Sequence, residues 1–171
     1  MMNSLNPYRL PADYPSPREI LREHFPNTAN ELLIKGGWGY EMKDATIVLE
    51  FDPEINPDQR FDGISIENIF IQKRIWEELT FARPEGGRFC GIRERKSGQS
   101  LHMDSAGTPY DRILVEVSAF REQDWEELKA DWEAHDGYKD DPEGKARHLS
   151  LRAEKEIRFQ EEFWFNIENF Y

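Results

Sequence analysis

Three side chains in the middle of the chain have the types that a thiol-dependent active site uses. Cys90 could supply the nucleophile, His102 its base and Asp104 the carboxylate that orients the imidazole. The three fall on neighbouring predicted strands, so they could come into contact. A hairpin, however, lacks the positive field that lowers a thiol pKa at a helix N-terminus, and a lone cysteine is more often a small buried hydrophobe. We therefore predict no catalytic residue and keep a thiol enzyme as a rival interpretation.

A second group of polar residues has the rhythm of a calcium-binding loop. Oxygen-bearing side chains stand at every second position of the segment 52–58: Asp52, Glu54, Asn56 and Asp58. The match then fails, because Pro57 occupies the position that needs glycine and Gly63 the position of the bidentate glutamate. The 4 histidines include no pair at the His-x-x-x-His spacing of a helical metal site. The sequence therefore predicts a solvated acidic loop, with neither a metal site nor a cofactor.

The glycine-rich run 36–39 (GGWG) resembles a ligand loop only superficially. It lacks the glycine spacing of both the dinucleotide-binding and the phosphate-binding fingerprints. We interpret it as a turn that carries one aromatic residue. Trp38 and Tyr40 could alternatively line a ligand groove, and the sequence leaves that alternative open.

The strongest feature is a concentration of acidic residues between Glu122 and Glu143. This stretch carries 10 acidic and 2 basic side chains, a net charge of −8 out of −12 for the whole chain, and it also contains Trp125, Trp132 and Tyr138. Such an imbalance exceeds what solubility requires, and like charges so close together oppose folding. It indicates a surface that attracts a basic protein. The candidate contact residues are Glu122, Glu126, Glu127, Asp131, Glu133, Asp140 and Asp141.

The composition narrows the class of protein. A chain of 171 residues suits one domain with a substantial core, and 13% aromatic residues argue against general disorder. A pI near 4.8 argues against nucleic-acid phosphates and anionic membranes as partners. A single cysteine allows no disulfide within the chain. The N-terminus is unlike a signal peptide, and no run approaches the length of a membrane span, so we expect a soluble, cytoplasmic protein.

Hydrophobic periodicity and turn residues predict the elements of the first half. An irregular N-terminal arm (1–15) precedes a helix that begins at Ser16-Pro17 and ends near Phe25. Short strands are predicted at 32–34 and 45–51, followed by a loop at 52–63. The segment 64–81 fits both helix and strand, and its charge spacing favours helix for its second half.

The second half is predicted to form a meander followed by two helices. Candidate strands lie at 88–95, 100–103 and 110–119, joined by turns at 96–99 and 105–109. A helix at 122–136 follows, with Trp125, Leu128 and Trp132 on one face, which we expect to pack in the core. A long aromatic helix is predicted for the C-terminus, from about Leu149 to Tyr171. The expected fold is α+β, with 16–171 as a single domain that packs helices on an antiparallel sheet.

Three phrases resemble segments of the immunity proteins of bacterial polymorphic toxin systems: GGWGYEMKDA (36–45), FDGISIENIFIQKRIWEEL (61–79) and DWEELKADWE (124–133). The resemblance covers the middle of the chain and contains no catalytic motif. It implies inhibition of a cognate toxin by binding, and no individual binding residue is transferred from it.

The sequence thus predicts a non-enzymatic, acidic protein-binding module of the immunity-protein type. Two rivals come from other classes. One is a small-molecule binder or thiol enzyme that uses the Trp38–Tyr40 region or Cys90, His102 and Asp104. The other is a structural subunit that forms homo-oligomers through the aromatic C-terminal helix.

Overall fold

The computed structural model describes residues 6–26, 31–55, 58 and 60–171, and these form helices packed on one sheet. The strands are β1 (Ile34–Gly36), β2 (Thr46–Val48), β3 (Phe89–Met103), β4 (Pro109–Arg121) and β5 (Ile157–Asn166). The helices are α1 (Pro17–His24), α2 (Gly63–Trp76), α3 (Glu122–Ala134) and α4 (Pro142–Lys155). A π-helical turn, Glu77–Phe81, extends α2, and short 3-10 turns occupy Met42–Asp44 and Asp136–Tyr138.

The sheet is mixed rather than purely antiparallel. Its spatial order is β1-β2-β5-β4-β3, and the pairs β1–β2, β4–β5 and β3–β4 are antiparallel. The pair β2–β5 is parallel, with Thr46 opposite Phe165. The mixture of helices and one sheet is confirmed, whereas the prediction of a purely antiparallel sheet is wrong, because β5 lies between β4 and β2 and runs parallel to β2.

The predicted C-terminal helix is wrong beyond Lys155. The chain leaves α4 there and forms β5, in which Phe159, Glu161, Phe163 and Phe165 are buried at every second position. This alternation coexists in the sequence with a helical spacing of apolar residues. The strand prevails because β4 pairs with β5 along its whole length and β2 pairs with its last two residues, which satisfies its backbone groups.

The edge strand β3 is continuous where two strands and a turn were predicted. The ladder with β4 has irregularities between Cys90 and Arg93 and between Lys96 and Gly98. The predicted turn residues 96–99 are therefore a β-bulge, which accommodates the extra residue without reversing the chain. Opposite them β4 runs without a break and buries alternate residues on its core face.

Helix α2 covers that core face. Its helical start at Gly63 is set by Asp62, whose side chain accepts a hydrogen bond from the Ser65 amide at 3.2 Å. Phe70 and Ile75 are fully buried, and the Phe70 ring meets Phe165 of β5 edge-on at 5.6 Å. The helix is confirmed for the second half of the ambiguous segment and also occupies its first half. The helix predicted from Ser16 to Phe25 is confirmed as α1.

None of the helices in the described part of the chain combines the length and the apolar character needed to cross a membrane.

One carboxyl of α2 is buried without compensation. Glu67 is only 2% exposed, and its Oε1 has no hydrogen-bond partner among the described residues. Burial, and then the charge of Asp111 on β4, raise the pKa of Glu67 to about 8, and Lys96 of β3 opposes them weakly. Gln99 donates to the Asp111 carboxylate from the edge strand. The fold therefore favours a protonated Glu67.

This burial predicts that Glu67→Gln stabilises the protein most at alkaline pH. The pKa of Glu67 is 4.5 in the unfolded chain and is raised to about 8 in the folded protein. Its contribution to stability is therefore fully present below pH 4.5 and is lost as pH rises towards about 8. The variant's advantage in free energy of unfolding should grow by up to about 1.4 kcal/mol per pH unit over that range. Urea titrations at several pH values measure it.

The matched control is Glu94→Gln, which removes an exposed carboxylate from β3. Its unfolding free energy should follow that of the wild type at every pH. A Glu67→Gln advantage that is the same at acid and alkaline pH would contradict a protonated, buried Glu67.

Candidate functional site

The three residues of the thiol-enzyme interpretation are not brought together. Cys90 lies at the start of β3 and His102 near its end, so a single extended strand holds them about 40 Å apart. Asp104 follows the strand, and its Oδ1 accepts the amides of Ala106 and Thr108, each at 2.9 Å. This carboxylate stabilises a turn, and the predicted base His102 is far from the thiol.

The surroundings of Cys90 also oppose an activated thiolate. Burial raises the pKa of its thiol, and the charges of Glu122 and Glu126 raise it further. A nucleophilic cysteine needs the opposite, an electropositive setting.

The calcium-like loop is engaged in local contacts where it is described. The Asp52 carboxylate lies 2.7 Å from the Arg18 guanidinium, and its Oδ1 accepts the amide of Glu54 at 2.9 Å. Asn56 and Pro57 lie outside the described residues. In the ranges that are described, no three His, Cys, Asp or Glu side chains are grouped so that they could hold a metal ion.

Trp38 and Tyr40 both contact the interior rather than an open groove. Trp38 is buried in the core, and its indole N–H donates to the carbonyl of Pro15 at 2.9 Å. The hydroxyl of Tyr40 donates to Glu78, and its ring stacks on the Arg74 guanidinium at 4.3 Å. Burial is the main cause that raises the pKa of Tyr40.

Arg74 stands at the centre of a buried ionic group that we call the Arg74 cluster (Arg74, Glu78, Glu161). Its side chain is fully buried, and two of its N–H groups donate to the carbonyls of Trp38 at 2.9 Å and Glu162 at 2.7 Å. The guanidinium also stacks on the Phe163 ring at 3.5 Å. One side chain of α2 thus binds the backbone of two other segments.

Two carboxylates share this cation. Arg74 Nε lies 3.3 Å from Glu78 Oε1, and Arg74 Nη2 lies 3.6 Å from Glu161 Oε2. Burial and then the neighbouring Glu161 raise the pKa of Glu78 well above its ordinary range. One guanidinium balances one negative charge, and burial favours the protonated form of Glu78.

The described part of the N-terminal arm closes the Arg74 cluster to solvent. The Asn6 amide donates to Glu78 at 3.1 Å and to Glu161 at 2.5 Å. The Tyr8 ring packs edge-on against Phe89 and Phe159 of the sheet, with centroids 5.0 and 5.2 Å apart. The arm is irregular, yet it supplies hydrogen bonds that buried carboxylates need. We therefore regard the cluster as structural.

The neighbouring Glu77 contacts both the N-terminal arm and α1. It is fully buried, accepts a hydrogen bond from the Tyr14 hydroxyl, and lies 2.7 Å from Nδ1 of His24. Burial and this hydrogen bond raise the pKa of Tyr14. Glu77 and Glu78 are thus adjacent buried carboxylates in the π-helical turn.

The acidic stretch predicted as a binding surface forms a helical hairpin of α3 and α4 at one end of the sheet. Trp125 packs against the Phe120 ring of β4 at 5.2 Å. The indole fits because Gly91 has no side chain: a Cβ at this position would lie 2.8 Å from the indole. Gly91 also has a positive φ of 59°, which glycine adopts readily. At the other end α3 stops at Ala134, before the predicted cap, and Gly137 at positive φ lies in the 3-10 turn that follows.

Two of the seven predicted contact residues hold this hairpin together. Asp131 accepts hydrogen bonds from His148 Nδ1 of α4 at 2.6 Å and from the Tyr138 hydroxyl at 2.8 Å. These bonds, that of His148 first, lower the pKa of Asp131. Asp141 caps α4 by accepting the amide of Gly144 at 2.9 Å.

The other predicted contacts differ in exposure. Glu122 is half-buried beside Cys90. The exposed ones form what we call the acidic face, which comprises Glu126, Glu127, Glu133 and Asp140. These four make no ion pair with a described basic residue.

An apolar groove lies next to the acidic face, between α3, α4 and β3. Its volume is about 390 Å³. The lining residues are Arg93, Trp125, Leu128, Lys129, Trp132, His148, Leu149 and Arg152. We call this the hairpin groove.

The tryptophan stripe is only partly core. Leu128 is buried and Trp125 is half-buried, but Trp132 is 36% exposed. The expectation of core burial is wrong for Trp132, because α4 covers only one side of the stripe. Sequence reasoning missed Arg93, Leu149 and Arg152 as its neighbours, since they come from other elements and no local spacing signals their convergence.

Comparisons with protein-family models, curated proteins and solved structures found no match to this chain.

The Arg74 cluster predicts a large loss of stability on Arg74→Ala. Removing the guanidinium leaves Glu78 and Glu161 buried without a cation, which costs about 3–5 kcal/mol in comparable cases. Chemical denaturation measures the change. The control is Arg95→Ala, which breaks an exposed pair with Glu116 and should cost less than about 1 kcal/mol. Equal effects of the two substitutions would contradict the structural role of the cluster.

The electronegative setting of Cys90 predicts a sluggish thiol. Iodoacetamide should alkylate Cys90 more slowly than a model peptide thiol at neutral pH, because a raised pKa leaves less thiolate. Cys90→Ala should leave binding function intact. A rate well above that of the peptide, together with loss of function in the variant, would revive the thiol-enzyme interpretation.

Proposed function

We propose that this protein is a non-enzymatic binding module that neutralises a basic partner protein, in the manner of a bacterial immunity protein acting on its toxin in the cytoplasm. The observation that carries the proposal is the acidic face, four exposed and unpaired carboxylates on the α3–α4 hairpin beside an apolar groove. The resemblance of the phrases 36–45, 61–79 and 124–133 to immunity proteins supports it.

Binding proceeds in two physical stages. The concentrated negative charge first steers a basic surface towards the hairpin and raises the rate of encounter. Partly exposed apolar side chains at the groove, Trp132 and Leu149, then lose their remaining contact with water. Large aromatic anchors next to a charged rim are the usual source of affinity at protein interfaces.

The predicted contact residues on the hairpin fall into two sets with different roles. Asp131 and Asp141 are engaged in hydrogen bonds that shape the hairpin. In the acidic face only Glu127 accepts a side-chain hydrogen bond, from Gln123 of the same helix at 3.1 Å. None of its four residues has an ion pair with a described basic residue, so a basic partner would relieve their mutual repulsion. This division explains why a stretch of net charge −8 persists in a folded helix pair.

The homo-oligomer rival loses its structural basis. It depended on an aromatic C-terminal helix as the contact surface. Phe163 and Phe165, which belonged to that predicted helix, lie instead in the central strand β5 with no exposed area.

Reversing the acidic face tests the proposal. The variant carries Glu126→Lys, Glu127→Lys, Glu133→Lys and Asp140→Lys. Each reversal adds two charge units, so the formal net charge changes from −12 to −4. With the partner purified from the native host by wild-type capture, stopped-flow association at low salt should slow about ten-fold or more. The difference should shrink as salt rises.

The control variant has the same net charge but places the reversals elsewhere, at the exposed residues Glu19, Glu50, Glu85 and Glu168. Its association rate should stay close to that of the wild type, and both variants should melt like the parent, since exposed substitutions shift stability by less than about 0.5 kcal/mol each. If the two variants slow association equally, net charge rather than the acidic face controls binding. If neither does, the proposal fails.

A further inference from the structure

The hairpin groove has a charge opposite to that of its surroundings. The chain contains 34 acidic and 22 basic residues, yet the groove is lined by Arg93, Lys129 and Arg152 and by no carboxylate. Within the described ranges, no carboxylate lies at ion-pair distance from any of these three cations. Among the other described arginines, Arg112 pairs with Glu162 at 2.6 Å, whereas Arg121 and Arg147 have no carboxylate at ion-pair distance. Arg152 acts electrostatically on Glu156 from beyond ion-pair distance, whereas Arg93 and Lys129 have no ion pair with a described carboxylate and are available to an external anion.

The remaining walls of the groove are apolar. Trp125 and Leu128 form its floor and are held by contacts with β4 and the hairpin interior. Trp132 and Leu149, at 36% and 47% exposure, form its rim. A volume of about 390 Å³ is within the usual range for small-molecule sites and accommodates one or two rings.

The cations come from three different elements, β3, α3 and α4, so they surround the groove rather than form one row. The guanidinium of Arg152 lies 5.2 Å from the Phe120 ring centroid, a contact that restricts its motion. Guanidinium groups bind carboxylates with paired hydrogen bonds, and a partly apolar setting strengthens that contact.

We propose that the hairpin groove binds a small hydrophobic carboxylate, a molecule with one or two aromatic rings and a single negative charge. Its ring lies against Trp132 and Leu149, and its carboxylate pairs with the cations of the lining. A single charge suits the site because the surrounding stretch carries a net −8 and opposes a more highly charged anion. The inference goes beyond the proposed function and is tested without any partner protein.

The experiment compares three probes with the same ring: 2-naphthylacetate, 2-naphthylacetamide and 2-naphthylethylamine. Binding is followed by NMR at the indole N–H groups of Trp125 and Trp132. The indole of Trp38, which is buried and bonded to Pro15, is the internal control and should not shift. A ligand of this size should bind with a dissociation constant of about 1 mM. We expect the carboxylate to bind about ten-fold more tightly than the amide at low salt.

A double variant, Arg93→Gln with Lys129→Gln, tests the cations. Both side chains are exposed, so the fold should be retained. We expect the preference for carboxylate over amide to fall to about two-fold or less, with amide binding unchanged. Trp132→Ala should weaken both probes equally. The control, Arg95→Gln, alters an exposed β3 cation that does not line the groove and should leave the preference intact.

Three results would overturn the inference. The first is equal binding of carboxylate and amide to the wild type. The second is a preference that survives in the double variant. The third is tighter binding of the amine, which would show that the acidic surroundings dominate the groove. None of these results bears on the acidic face, whose test uses a different set of variants.

Discussion

The fold depends on burying one arginine, whose two Nη atoms are hydrogen-bonded while its Nε has only the ion-pair contact with Glu78. Arg74 joins α2 to the loop before β2 through the Trp38 carbonyl and to β5 through the Glu162 carbonyl. Through Glu78 and Glu161 it also fixes the N-terminal arm, because Asn6 donates to both carboxylates. A buried charge is tolerated only when every partner is present, so these segments must assemble together. That requirement fixes the position of β5 in the middle of the sheet.

Buried and exposed carboxylates have separate roles in this molecule. The carboxylates that the fold needs, Glu77, Glu78 and Glu161, lie under the arm on one side of the sheet. The exposed carboxylates of the acidic face lie on a hairpin at one end of the sheet, where they support no other element. The charge of a binding surface at that position can change without disturbing the core. For this reason the acidic face, and not the Arg74 cluster, is proposed as the site.

The prediction of elements succeeded where one periodicity dominated and failed where two coexisted. Helices α1 and α3 were predicted from capping residues and a clear helical spacing. The segment that became β5 shows both a helical and an alternating pattern, and the helix was predicted from the helical one. The bulge at 96–98 was mistaken for a turn, because glycine and serine are typical of both. Arg74 and Glu78 have the spacing of a helical ion pair, and only their place among apolar residues hinted that the pair is buried.

The sequence by itself determined that this is a mixed helical and sheet protein whose negative charge is concentrated near one helix, since composition and local spacing carry that information. Only the tertiary structure decided which acids are exposed, that Trp132 stays partly in contact with water, and that Cys90 and His102 stand far apart. It also decided that Arg93, Lys129 and Arg152 meet around one groove. These outcomes depend on how elements distant in sequence pack against each other, and no local pattern encodes which face of a helix a neighbour will cover.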